Sequence, residues 1–264
     1  MAELYNTHYG EFATDVQRAV RSETYGEDIG QSSWMTADEL RYFTAILKIN
    51  VSSNLLEIGS GSGGSAIFLA ENTGCTITGI DANEFGVSNA NDLAKQRGLD
   101  SKARFKLIDA SKRLPFDANM FDVVFSNDVM CHVPNRQEVF REWYWVLKPG
   151  GQMLFTDALI ITGIISQVEI AKRSSIGLYF FVPPLENERM IADAGFKIIA
   201  VENLTPATAE ISKRWHDARA KHRDAMISLE GVHNFEALQD FLECVHTLTS
   251  EKRLSRFMYL ARRG

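Results

Sequence analysis

Leu55-Leu56-Glu57-Ile58-Gly59-Ser60-Gly61-Ser62-Gly63-Gly64 is the stretch that decides the architecture. A short apolar run carrying one acid passes straight into a cluster of glycines. The run has the character of a strand buried on both faces of a parallel sheet. The glycines read as a sharp turn from strand into helix. They tolerate positive φ and let backbone amides approach a ligand without a Cβ in the way.

Working outward, β-rich runs alternate with helical ones. Strands are expected at 54–58, 76–80, 104–108, 121–126 and 152–156. Helices are expected at 65–70, 84–97 and 137–147, the last stopped by Pro149-Gly150-Gly151. This alternation predicts an α/β fold with a doubly wound, mostly parallel seven-stranded sheet. Beyond the fifth strand, 160–181 is apolar and reads as a helix ending at Pro183-Pro184, followed by a helix at 187–194 and a strand at 197–202. Long helices at 207–229 and 235–249 precede a final strand at 255–261, predicted to pair antiparallel at the sheet edge. These helices would form a lid over the strand C-termini, where open α/β sheets bind ligands. The expected organisation is a helical cap segment over 1–50, a cofactor-binding core over 51–157, and 158–264 supplying lid helices and the last strands of the same sheet.

Composition narrows the function classes. The 264 residues carry 28 Lys and Arg against 34 Asp and Glu, a net charge of −6, which argues against nucleic acid as partner. The basic clusters at 213–223 and 253–263 are interleaved with acids or apolar residues and read as solvated faces. Three widely spaced cysteines, Cys75, Cys131 and Cys244, fit no metal spacing and read as reduced thiols. No apolar run is long enough for a membrane span. With no sign of an export signal, the expectation is a cytoplasmic protein with no metal, its oligomeric state left open.

On its own the glycine pattern is ambiguous, because Gly59, Gly61 and Gly64 also spell the G-x-G-x-x-G of a dinucleotide-binding turn. Three acids shift the balance. Glu57, just before the turn, suits an ammonium group and would repel a pyrophosphate. Asp81 ends the second strand, where a carboxylate can accept both hydroxyls of a ribose. Asp109 follows the third, positioned to accept from an adenine amino group, although a turn or helix cap before Ser111 is its plainer use. A plain βα turn is the corresponding alternative for the glycines.

With these residues in hand, the chain resembles the class I S-adenosylmethionine-dependent methyltransferases from about Val51 to Asp157. The likeness rests on E-x-G-x-G-x-G (Glu57 to Gly63), G-I-D (Gly79 to Asp81), Asp109, F-D-V-V-F-S-N-D (Phe121 to Asp128) and L-K-P-G-G (Leu147 to Gly151). It implies S-adenosylmethionine as cofactor, with Gly59, Gly61 and Gly63 along its methionine side, Asp81 at the ribose, and Asp109 with Ala110 at the adenine. Glu57, Gln31 and Asn127 complete the implied cofactor set. Glu57 stands where Asp is commoner, a change that keeps the charge.

Within that family, Asp128 and His132 together with Tyr25 to Gly30 look like the phosphoethanolamine and sarcosine/dimethylglycine N-methyltransferases. In the phosphoethanolamine enzymes an aspartate, a histidine four positions later and an N-terminal tyrosine line the acceptor site. Tyr5 and Tyr9 are both candidates for that tyrosine, and Tyr9 joins His132 in the expected catalytic pair. His132, just past the fourth strand, is the candidate general base, with helix capping or packing beside Pro134 as the alternative. Tyr25, Asp128 and Tyr179 are the expected substrate contacts. The chain departs from that branch at Leu178 to Pro184, which is apolar where a phosphate reader would carry tyrosines and arginine, with only Lys172 and Arg173 nearby. That points to a small-molecule acceptor with apolar bulk, methylated at an amine, hydroxyl or carbon, unless these aromatics are simply core. Trp215 and His216 carry the same ambiguity. The rival readings are a nucleotide-dependent oxidoreductase, and a regulatory protein that binds the cofactor without transfer.

Overall fold

The computed structural model describes residues 9–264. Its centre is one seven-stranded sheet in the order β3-β2-β1-β4-β5-β7-β6. The strands are β1 (Asn54–Ile58), β2 (Thr76–Asp81), β3 (Ala103–Leu107), β4 (Phe121–Asn127), β5 (Leu147–Ile161), β6 (Phe196–Asn203) and β7 (Leu254–Arg263). Strands β1 to β5 pair in parallel, and β7 runs antiparallel to both β5 and β6.

The described helices are α1 (Asp15–Tyr25), α2 (Ala37–Ile46), α3 (Gly64–Thr73), α4 (Glu84–Gln96), α5 (Arg136–Val146), α6 (Gln167–Arg173), α7 (Glu186–Asp193), α8 (Thr205–Lys221), α9 (Arg223–Glu230) and α10 (Val232–Ser250). Strand alternation sends neighbouring side chains to opposite faces. Leu55, Ile77, Phe105 and Phe125 meet Leu40 and Phe43 of α2, Ala66 and Leu69 of α3, and Ala90 and Ala94 of α4. Leu56, Ile80, Val124 and Phe155 meet Phe140 and Trp143 of α5 and Ile191 of α7. Both faces are therefore covered, which explains why the central strands are continuously apolar.

The chain winds outward from β1 towards β3, then returns to place β4 on the other side of β1. That reversal opens a crevice at the C-terminal ends of β1 and β4. Thr36 caps α2 and Asn83 caps α4 by accepting from backbone N–H groups three residues on.

Two expectations change. Residues 160–181 do not form one helix. Ile160 and Ile161 end a β5 that is far longer than the expected 152–156, as β-branched residues favour. Helix begins only at α6, where Ser166 and Glu169 form a reciprocal capping box, and it stops at Ser174. The remainder becomes an extended strap: Val182 bridges to Ile160, and Phe180 N–H donates to the Cys131 carbonyl at 2.8 Å. The expected helix at 207–229 is likewise two, α8 and α9, broken at His222.

Gly64 shows how tightly the N-terminal arm seats on the glycine turn, since a Cβ there would lie 2.2 Å from the Ile29 carbonyl oxygen. The obstacle is backbone and cannot rotate away. Gly64→Ala should therefore cost about 1–3 kcal/mol in urea unfolding; wild-type stability would show that the arm yields freely.

Candidate active site

A cavity of about 530 Å³ lies at the crevice, within the size range of small-molecule sites. Its floor is built by the segments that leave the strand tips. Gly59 follows β1 with φ +73°, and a Cβ on it would come within 2.2 Å of Val129 just after β4. Only glycine lets these two segments close against each other. Gly61 lies under the Tyr9 hydroxyl, and Gly63 packs on Ala90 and Phe105. Of the three, Gly59 lines the cavity, while Gly61 and Gly63 shape the turn behind it.

Two acids stand at this turn in different states. Asp81 accepts from Gly61 N–H and from Asn83 N–H, each at 2.8 Å, and burial raises its pKa. Glu57 is buried behind the cavity wall. Among the described residues its Oε2 has no hydrogen-bond partner, nor does the nearby Ser60 Oγ. Burial, with Asp81 adding its charge, pushes Glu57 up to about 8. Tyr9 lines the same opening, its hydroxyl pushed up by burial and by Asp81. Tyr5 lies outside the described residues.

Ile80, Ile108, Ala110 and Val133 form an apolar slot beside Asp81. Asp109 also lines the cavity. Its Oδ1 accepts from Ser111 N–H and Oγ, and its Oδ2 pairs with Lys112 at 3.2 Å, so the carboxylate also closes its own turn and its pKa is lowered, chiefly by Ser111. Gln31 is not brought to the cavity: its side chain accepts from Ile29 N–H and donates to the Glu27 carbonyl. Ser32, Ser33 and Trp34 line the wall in its stead. Tyr25 stands behind them, donating to the Ser33 carbonyl at 2.6 Å.

The end of β4 holds a buried network. Asp128, at φ +56°, accepts from Arg256 Nε at 2.8 Å and from Thr156 Oγ1 at 2.8 Å. Arg256 Nη2 donates to Asn127 Oδ1 at 3.0 Å and lies 2.7 Å from Glu39 Oε1, in an ion pair outside hydrogen-bond geometry. Asn127 donates to Ser33 Oγ. Asp128 and Asn127 border the cavity, but their strongest partners are structural. Arg256 belongs to the basic cluster at 253–263, which reads as a solvated face, yet it is fully buried; its partners lie far along the chain, and the local signal is its place between the apolar Leu254 and Met258.

His132 ends a 3₁₀ turn at Met130–His132. Its Nδ1 lies 2.8 Å from the Leu178 carbonyl, which can only accept, so Nδ1 carries the proton. Burial lowers its pKa, and the nearby Arg173 acts in the same direction. The His132 ring lies 4.6 Å from that of Tyr179. Beyond them Trp34, Trp215 and Phe241 continue the wall, with Trp34 stacked on Phe241 at 6.4 Å and edge-on to Trp215 at 6.0 Å. Among the described residues no helix is long and apolar enough to cross a membrane.

The ion-pair network generates a prediction. Arg256→Met leaves Glu39 and Asp128 buried without their counter-charge and should cost about 3–5 kcal/mol in chemical denaturation. A loss below about 1 kcal/mol would mean that water relieves them.

Residues 56–155 match the methyltransferase domain family. The chain is 31% identical over 189 residues to phosphoethanolamine N-methyltransferase 3 of Arabidopsis thaliana, covering 70% of this chain and 37% of that protein. It is 28% identical over 234 residues to a sterol 24-C-methyltransferase of Schizosaccharomyces pombe, covering 80% of this chain and 61% of that one. The chain thus spans less than two thirds of the length of either relative. Among solved structures, Haemonchus contortus phosphoethanolamine N-methyltransferase 2, in complex with phosphomonomethylethanolamine and S-adenosylhomocysteine, superposes with a TM-score of 0.82. It is 21% identical and covers 98% of this chain and 60% of that one, a likeness of fold.

Proposed function

We propose that this chain, whose centre is a methyltransferase domain, transfers a methyl group from S-adenosylmethionine to a small molecule, with His132 as general base. The observation that carries the reading is the unpartnered Glu57 oxygen behind a turn only glycine can make, next to Asp81 and an apolar slot. A buried carboxylate without a partner calls for a cation, and the ammonium of a methionine moiety supplies one. Each Asp81 oxygen keeps acceptor capacity for a ribose hydroxyl beyond its backbone bond. Ile80, Ile108, Ala110 and Val133 suit the faces of a purine, with Asp109 at its edge and Asn127 at the mouth of the β4 end. When bound, the cofactor supplies an electrophilic methyl group together with its own leaving group.

What remains for the chain's own residues is to orient the acceptor and remove its proton. His132 is suited to the proton transfer, because Leu178 holds Nδ1–H and so leaves the basic lone pair on Nε2, and the lowered pKa keeps the ring neutral at pH 7. Nε2 takes the acceptor's proton as the new bond to methyl forms. Tyr9 closes the cofactor end, and Tyr179 with the tryptophans gives the acceptor end an apolar body to hold. The known relatives methylate nitrogen in one case and carbon in another, as their names state, so the atom methylated here follows from the acceptor.

Asp81→Ala should weaken S-adenosylhomocysteine binding by about 1–3 kcal/mol, read by calorimetry; unchanged affinity would remove Asp81 from the pocket. His132→Ala should lower turnover by about 10²-fold or more while leaving that affinity intact. In the wild type, turnover should hold through neutral pH and fall only below the ordinary imidazole range, as Nε2 gains a proton. Transfer of labelled methyl to a panel of amino and hydroxy-aromatic acceptors tests the reaction itself. Tight cofactor binding with no transfer across the panel favours a non-catalytic binding protein.

A further inference from the structure

Arg173, at the C-terminal end of α6, is only 2% exposed, yet it lines the cavity. A guanidinium keeps its charge at any pH a protein survives, so burying one requires compensation. The compensation here is incomplete. Its Nε and Nη1 are buried with no hydrogen-bond partner among the described residues. Two aromatic faces shelter the charge, Tyr179 at 4.5 Å and Phe241 at 4.7 Å from ring centre to guanidinium carbon. Such contacts recover only part of what a carboxylate would provide.

The acids in the neighbourhood are already engaged. Asp157 pairs with Arg136, Asp128 with Arg256 at 2.8 Å, and Glu169 with Arg253 at 2.7 Å. Among the described residues Arg173 forms no ion pair. Among the described residues the cavity therefore carries one positive charge without an acid partner, beside Trp34, Trp215, Tyr179 and Phe241; Glu230, which also lines the cavity, is paired with Arg219. Arg173 and His132 both contact the Tyr179 ring, so the charge sits at the acceptor end of the cavity.

We infer that the acceptor is an amphipathic organic anion: a flat apolar body bearing a carboxylate or phosphate monoester, with the anionic group bound by Arg173. This deepens the methyltransferase reading and rests on it. A planar guanidinium presents parallel donors that match two oxygens of either group, and desolvation among aromatic rings strengthens the pair. The same charge disfavours an acceptor that brings only an ammonium group to this wall. Recognition of the anion at one end and the apolar body along Trp34, Trp215 and Phe241 would orient the acceptor relative to His132.

The test uses pairs that share an apolar body and differ in the anionic group. Protein saturated with S-adenosylhomocysteine is titrated calorimetrically with indole-3-acetate and its amide, 3-phenylpropanoate and its amide, and phenyl phosphate and phenol. The anionic members should bind at least about ten-fold more tightly than their neutral partners. Arg173→Gln should reduce that preference to about two-fold or less with S-adenosylhomocysteine affinity unchanged, and Arg173→Lys, which keeps the charge but loses the fork, should fall between. Equal affinity within the pairs, no binding by any anion, or a preference that survives Arg173→Gln overturns the inference and leaves Arg173 as packing. The wild-type comparison stands even if a variant fails to fold. The preceding S-adenosylhomocysteine titration reports separately on the methyltransferase reading: its failure means no cofactor, whereas failure of the pairs alone means a different acceptor.

Discussion

A carboxyl group buried without a partner is the constraint around which this molecule is arranged. Glu57 is on β1, inside the sheet and behind the turn at Gly59, and among the described residues nothing neutralises its Oε2. In water such a group would be ionised at pH 7; here burial and the charge of Asp81 raise it to about 8. A protein gains nothing in stability by keeping an unsatisfied acid in its core. Its retention makes sense as a waiting site for a cationic ligand group, and the surrounding architecture delivers a ligand there. The sheet reverses its winding between β1 and β4, the glycine turn admits close approach, and Asp81 stands one strand away.

The acceptor side is built on different principles. The β4 end is rigid because Arg256 ties Asp128, Asn127 and Glu39 into one buried network, joining the first helices to the last strand. That rigidity fixes the 3₁₀ turn carrying His132, while the strap at 178–182 holds the imidazole by its Nδ1. Two buried arginines thus have opposite characters. Arg256 is paired with two acids, Glu39 and Asp128, and acts as scaffold; Arg173 has no acid partner among the described residues and faces the cavity.

Much of this was legible from residue pattern alone. The five parallel strands, the glycine turn and the acids at the strand tips follow from local periodicity and turn chemistry, which act over a few residues. Asp81, Gly59, Ala110, His132 and Tyr179 do meet at one cavity. What escaped was set by long-range partners or by local side-chain turns that the apolar pattern does not reveal. Residues 160–181 look helical by apolarity, but pairing of Ile160 with Val182 and a cap at Ser166 redirect them. Gln31 looked available until the turn at 27–31 absorbed both ends of its amide. Asp128, a candidate substrate contact, does border the cavity, but its partner Arg256 is 128 residues away, beyond the reach of any local pattern.

The most direct measurement is the proton balance of ligand binding. Titrating the protein with S-adenosylhomocysteine at pH 7 in buffers of different ionisation enthalpy counts protons exchanged with solvent. Glu57, largely protonated before binding, should ionise when the ligand's ammonium arrives, releasing a number of protons approaching one, and Glu57→Gln should abolish the release. Tight binding with no proton released, or no binding of S-adenosylhomocysteine while a nicotinamide dinucleotide binds, would contradict the account.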